Sequence, residues 1–390
     1  MLSGSEPSSI RAGYVPEVDA LRGLAMTGVV AMHCGLAPFG WMGVWVFYVI
    51  SGFAVTTSWL GRRETTAAAA VTGFYVRRAR RIWPLYFAYV AGGAAFLALT
   101  GDPAALGDLP WLATFTFNLR MIGLDDWGAT GWAGFGHLWT ISVEQQFYLL
   151  LPVILLAGNR RTAIAALVAL ALAAPAIRHL VVSASLARGW DLGHAAFAAY
   201  AFAPAHFDAF AAGALVALAR RAGRIGTATA IRAAWIAAGI ATLHVGTFVA
   251  LGLMRHGIGV EALRNVVSGI LAGDGREVTV YLVPVSIGVA TLLAVLAGQG
   301  WALRLGRLPG LQAIGRVSYG GYVLHLPVII ALRASVFPGA LGPAGRAGLF
   351  LAAMAASVAL ATASHRWFEA RFLGRRRRAL PGRSRSAVAA

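Results

Sequence analysis

Arg22 and His33, with ten residues between them, head the first long apolar stretch, VDALRGLAMTGVVAMH. On a helix rising 1.5 Å per residue they stand about 16 Å apart along the axis. A neutral imidazole accepts a proton from a hydroxyl, which makes His33 a candidate general base; a packed histidine bonded to a neighbouring helix is the alternative. Glu144 lies in HLWTISVEQQFYLLLP, with Ser142 and Gln145 close by in sequence. A lone carboxylate in such surroundings needs a partner, so it orients or charge-pairs with His33, or else it holds helices together. Asp208, with His206 two residues earlier, and the group Tyr319, Tyr322 and His325 are further titratable side chains within apolar stretches. Each either lines a shared cavity or is structural. The segment FYVRRARRIWP gathers Arg77, Arg78, Arg80 and Arg81. Four guanidiniums so placed can hold phosphates bidentately, as a nucleotide-bearing donor requires, or can simply mark membrane topology.

Groups of this kind need a scaffold, and the composition says which. Of 390 residues, 58% are apolar and 12% charged, roughly half the charged share of a soluble domain. The apolar residues come in blocks of about 20, the length that crosses a hydrocarbon core. Such blocks fall at 21–37, 40–60, 82–100, 138–157, 162–180, 195–219, 229–252, 278–299, 313–335 and 345–365. Ten helical spans are therefore predicted, since lipid offers the backbone no hydrogen-bond partners. The expected fold class is an all-α polytopic integral membrane protein. Residues 1–17 are polar and carry no cleavable signal pattern.

All 33 basic residues are arginine, and threading from an inner N-terminus puts 25 of them on the inner side, where arginine accumulates. Both termini are thus predicted to be cytoplasmic. The organisation reads as a cytoplasmic segment 1–17, a membrane domain 18–372 and a basic, disordered tail 373–390 drawn to anionic lipid. The net charge of +18 reflects topology rather than nucleic-acid binding. A single cysteine, Cys34, rules out an internal disulfide and a multi-cysteine metal site. The longest outer connection, 101–137, carries Trp111, Phe115, Phe117, Trp127 and Trp132, aromatic faces suited to sugar rings and macrocycles.

Taken together, the stretches resemble membrane-bound acyltransferase family 3, the O-acyltransferases of sugars and other hydroxyl acceptors. VDALRGLAMTGVVAMH looks like the family's opening motif, matched by Arg22 and His33; GVWVFYVISGF, FYVRRARRIWP, LWTISVEQQFYLLLP, FDAFAAGAL, IGRVSYGGYVLHLPV and HRWFE follow in the family's order. Any one is weak; seven in sequence are specific. The resemblance implies a ten-helix core in a bacterial plasma membrane, an acyl-coenzyme A donor, His33 as the essential catalytic residue with Arg22 nearby, and an Arg-x-x-Arg pair, Arg78 and Arg81, for the donor. Two positions depart from the pattern. The family usually carries an Asp where this chain has Trp45, and a second Glu where it has Gln145, so the roles of those acids do not transfer. The chain resembles single-domain members, which acylate polysaccharide, lipid-linked sugar and macrolides.

The expected chemistry is transfer of an acyl group, acetyl foremost, from cytoplasmic acyl-coenzyme A to a hydroxyl of a sugar, glycan, lipid-linked sugar or macrolide. His33 serves as base, Glu144 and Arg22 support it, and Arg77, Arg78, Arg80 and Arg81 hold the donor. Ser142, Asp208, Tyr319, Tyr322, His325 and Trp45 are candidates for the acceptor cavity. No metal is called for, and Cys34 beside His33 keeps a covalent acyl-enzyme open. The oligomeric state is open, a homodimer included. The rival is a proton-coupled transporter or flippase, for which the sequence offers neither an inverted repeat nor paired broken helices.

Overall fold

The computed structural model describes residues 14–62, 64–100, 103–124, 133–156, 158–259, 270 and 272–373, with backbone alone at 103–105. Among these no strand occurs. The helices in chain order are α1 (Pro16–His33), α2 (Met42–Leu60), α3 (Ala67–Thr100), α4 (Leu109–Ala113), α5 (Phe117–Leu124), α6 (Trp139–Leu156), α7 (Arg160–Ala187), α8 (Leu192–Ala201), α9 (Phe207–Arg221), α10 (Thr227–His256), α11 (Arg276–Thr279), α12 (Leu282–Leu296), α13 (Gly300–Gly306), α14 (Pro309–Arg316), α15 (Ser318–Ser335) and α16 (Pro343–Trp367).

Seven helical runs are long and apolar enough to cross a membrane, and two bent pairs raise the number to nine. Ten were expected from the sequence. The difference is α1, which occupies the place of the first predicted span but carries Glu17, Asp19 and Arg22. The expectation of no broken helices is also corrected. α8 and α9 meet at 70°, and α14 and α15 at 80°. At the first bend Phe202 is extended and Pro204, which has no N–H to donate, begins a new turn. At the second, Val317 leaves the helical region without any proline.

α3 runs for 34 residues, about 51 Å at 1.5 Å per residue and far longer than a hydrocarbon core. Arg77 to Arg81 consequently lie within a helix rather than at the end of a loop. Ala-rich sequence ahead of them, AAAAV, has the propensity to extend the helix outward.

The run 276–296 and α2 bury 61% of their apolar windows inside the bundle, whereas α7 and α10 bury 17%. The first two are central; the others face lipid with side chains such as Leu172, Leu180, Trp235 and Met254. α2 is locked against α9 at two glycines. A Cβ on Gly52 would stand 2.0 Å from the Phe210 carbonyl oxygen, and one on Gly213 would stand 1.9 Å from that of Val49. Only hydrogen fits at this crossing, as in other close helix pairs in membranes. The contact fixes Ser51, next to Gly52, relative to the aromatic core of Tyr48, Phe147 and Phe210.

Candidate active site

A cavity of about 720 Å³ opens between α1, α2, α3, α6 and the α14–α15 bend. It is within the size range of small-molecule sites. α1 contributes Arg22, α2 Tyr48 and Ser51, α3 Arg78 and Arg81, α6 Thr140, Glu144 and Tyr148, and the bend Arg316, Tyr319 and Tyr322. Helical spacing explains the selection. Residues three or four apart share a face, so Arg78 and Arg81 point together into the cavity, as do Thr140, Glu144 and Tyr148. Arg77 instead pairs with Glu64 at 2.5 Å, and Arg80 is exposed elsewhere. Of the four arginines expected to hold the donor, the cavity takes two.

Most polar groups on the wall are satisfied within the protein. Glu144 accepts hydrogen bonds from the hydroxyls of Ser51 and, at 2.5 Å, Tyr148. Tyr319 donates to the Ile82 carbonyl at 2.6 Å. The Tyr322 hydroxyl meets Thr140 Oγ1 at 2.7 Å and the His137 carbonyl at 3.2 Å. The guanidiniums are different: Arg22, Arg78, Arg81 and Arg316 make no hydrogen bond to another described residue. Against these four positive charges stand two acids, Asp19 and Glu144, and Asp19 already accepts the Tyr14 hydroxyl. A guanidinium carries five donors and binds oxyanions as a fork. Guanidiniums so placed can receive an anion with several oxygens.

Tyr322 stands between this cavity and a cluster of imidazoles. Its ring lies 5.3 Å from that of His325 and 5.5 Å from that of His137. His325 in turn lies 5.1 Å from His137 and 5.1 Å from His33. His33 ends α1 as an exposed residue, whereas His137 and His325 are buried. His33 thus stands beyond Tyr322 rather than on the cavity lining. No hydrogen bond joins it to Glu144, whose partners are Ser51 and Tyr148.

The remaining candidates lie apart from the cavity. Ser142 is buried and bonds back along α6 to the Leu138 carbonyl at 3.5 Å. Asp208 is buried in an ion pair with Arg178 at 2.5 Å. Trp45 is fully buried, stacked on Tyr281 at 5.0 Å with His206 at its edge. Cys34 is buried in an apolar cluster with Met26, Val30, Ile329, Leu349 and Ala353. Phe115 and Phe117 are core residues rather than a surface for acceptors, since both are buried; Trp127 and Trp132 lie outside the described residues. Among the described residues no cluster of three or more His, Cys, Asp or Glu is arranged to hold a metal ion.

Sequence reasoning passed over Ser51, His137, Tyr148, Arg178 and Arg316. Two of these carried a signal. Tyr148 follows Glu144 by one helical turn, and Arg178 is a charge within the apolar block 162–180.

The sequence profile of the acyltransferase domain family matches residues 15–366. Over 155 residues the chain is 29% identical to the peptidoglycan O-acetyltransferase OatA of Listeria monocytogenes, covering 37% of this chain and 24% of that protein. A putative O-acetyltransferase of Staphylococcus aureus is 30% identical over 149 residues, 36% of this chain and 25% of its own. A putative peptidoglycan O-acetyltransferase of Bacillus subtilis, YrhL, is 27% identical over 157 residues, 37% of this chain and 24% of its own. The chain thus spans about a quarter of the length of these relatives. No solved structure matches it.

Proposed function

Because the chain belongs to the acyltransferase domain family over residues 15–366, we propose that it moves an acyl group, acetyl foremost, from acyl-coenzyme A to a hydroxyl of a glycan. One observation carries the donor assignment: four guanidiniums that make no hydrogen bond to another described residue face a single cavity of about 720 Å³. Phosphate oxygens satisfy them bidentately, and a nucleotide-bearing thioester supplies those oxygens. The glycan acceptor is supported by the bacterial relatives, two of which are named for peptidoglycan. The membrane runs and these relatives make the chain a multi-pass bacterial membrane protein.

In this reading the donor enters from the cytoplasm with its phosphates on Arg22, Arg78, Arg81 and Arg316. Its thioester arm passes Tyr319 and Tyr322 toward His33. His33 takes the acceptor's proton while the hydroxyl oxygen attacks the thioester carbonyl. The carbon–oxygen bond forms, the carbon–sulfur bond breaks, and the departing thiolate recovers the proton from His33. Glu144, bonded to Ser51 and Tyr148, braces α2 against α6 and offsets part of the guanidinium charge.

The test uses the purified chain in lipid nanodiscs with acetyl-coenzyme A and chitopentaose. The expected result is thiol release with acetylated sugar by mass spectrometry, lost in His33→Ala while coenzyme A binding persists. Absence of coenzyme A binding to the wild type would overturn the donor assignment. Turnover retained in His33→Ala would remove the base.

A further inference from the structure

Three imidazoles meet beyond Tyr322, and their protons can be placed by elimination. A backbone carbonyl only accepts hydrogen bonds, so the ring nitrogen facing one must carry the proton. His325 Nδ1 lies 2.6 Å from the Tyr322 carbonyl oxygen, so Nδ1–H donates there. In the neutral ring, Nε2 is then a lone pair, and this buried atom has no partner. His137 Nε2 lies 3.0 Å from the Val323 carbonyl and donates to it. Its one proton is thereby committed, and neutral His137 has none left for His325. Of the two imidazoles flanking His325, only His33 retains an uncommitted N–H. The two ring centroids are 5.1 Å apart and tilted by 48°, which makes His33 the neighbour whose N–H can turn toward Nε2.

We propose that His325 is a positioning residue for His33: its Nε2 accepts the single N–H of His33 and so fixes which nitrogen of His33 is left as the base. The line of donors then runs from the acceptor hydroxyl to His33, from His33 to His325, and from His325 to the Tyr322 carbonyl. Each imidazole has one assigned proton. When His33 takes up the hydroxyl proton it holds two N–H groups, and the one directed at His325 stays bonded as the positive charge develops. The orienting group in the Ser-His-Asp arrangement works similarly, here with a neutral ring suited to a water-poor interior. Tyr322 joins the two regions, because its backbone holds His325 while its ring lines the donor cavity.

This inference rests on His33 being the base, but its structural content is separable from catalysis. The experiment is ¹⁵N solid-state NMR of the full chain in lipid, labelled at histidine, with the His33 signals assigned by their loss in His33→Gln. The wild type is expected to give one neutral tautomer at His33. Three substitutions at His325 discriminate. His325→Gln keeps an acceptor near the Nε2 position and should retain the single tautomer. His325→Asn, of equal polarity but shorter, and His325→Leu should release His33 into a mixture. In thiol-release assays His325→Asn should lower kcat by about a hundredfold, the lower end of what a positioned base contributes, with the acetyl-coenzyme A KM unchanged and partial recovery in His325→Gln. A His33 tautomer indifferent to His325→Asn overturns the proposal even if His33→Ala is inactive. Conversely, a tautomer that follows His325 in a chain whose turnover survives His33→Ala leaves the pairing intact and removes the base. If His325→Leu fails to fold, the Gln and Asn pair decides.

Discussion

Glu144 holds the hydroxyl of Tyr148, one turn further along α6, at 2.5 Å and accepts a second hydroxyl from Ser51 on α2. Both bonds use the carboxylate as an acceptor, and neither requires its charge to reach His33. Glu144→Gln keeps an acceptor oxygen while removing one of the two acids facing four arginines. Abundance should stay near normal, the acetyl-coenzyme A KM should hold or fall, and kcat should stay within about tenfold. Glu144→Leu removes the shared acceptor of two hydroxyls that also lie 2.5 Å from each other; one can donate to the other, so a single hydroxyl proton loses its acceptor, at a cost of about 1–3 kcal/mol, read as a lowered unfolding temperature. Abolished turnover in a well-folded Glu144→Gln chain would put the carboxylate charge into the reaction itself.

The arginines of α3 divide by helical phase. Arg78→Ala and Arg81→Ala should each weaken coenzyme A binding by about 1.5–3 kcal/mol, the range for hydrogen bonds to charged groups. Lysine should rescue only in part, because it lacks the planar fork. Arg80→Ala, on an exposed face, and Arg77→Ala, which breaks only the pair with Glu64, should leave binding unchanged. Isothermal titration in detergent separates the two classes. Equal losses at all four positions would mean a diffuse electrostatic effect rather than a site.

The phases of α3 and α6 are readable in the sequence, since Arg78 and Arg81 on α3 are three apart and Thr140, Glu144 and Tyr148 on α6 are four apart. Positions along the chain were readable because lipid forces helices wherever apolar blocks reach the needed length. What stayed hidden depends on pairs of helices. Nothing in α1 or α15 announces that the rings of His33 and His325 come within 5.1 Å, because the contact depends on relative helix height and rotation. The 80° bend at Val317 has no proline or glycine at the break, so no local propensity reports it. That bend brings Arg316 to the same cavity as Arg22.

Arg178 and Asp208 form a pair that is fully enclosed, with Arg178 also donating to the Ala205 carbonyl at 2.7 Å and lying over the Tyr281 ring. Removing either partner leaves an uncompensated buried charge. Asp208→Ala or Arg178→Ala should therefore destabilise by about 3–5 kcal/mol, seen as loss of folded protein after extraction. The double change Arg178→Met with Asp208→Leu should recover much of that loss, since it strands no charge. A double variant no better than the singles would mean that Arg178 matters mainly through Ala205 and Tyr281.

Sidedness joins the cavity to the arginine distribution. The threading that puts 25 of 33 arginines inside also puts Arg22 and the α3 arginines there, and the cavity opens among those residues. His33 lies about 16 Å further along the same helix, beyond Tyr322 and beside His325. A donor entering from the cytoplasm would meet the guanidiniums first and the imidazoles last, leaving the opposite approach to His33 for the acceptor. In sealed inverted vesicles, whose cytoplasmic face points outward, external acetyl-coenzyme A should support thiol release. Right-side-out vesicles should be silent until permeabilised. The reverse pattern would place Arg22, Arg78 and Arg81 on the wrong side of the membrane, and with them the path proposed for the donor.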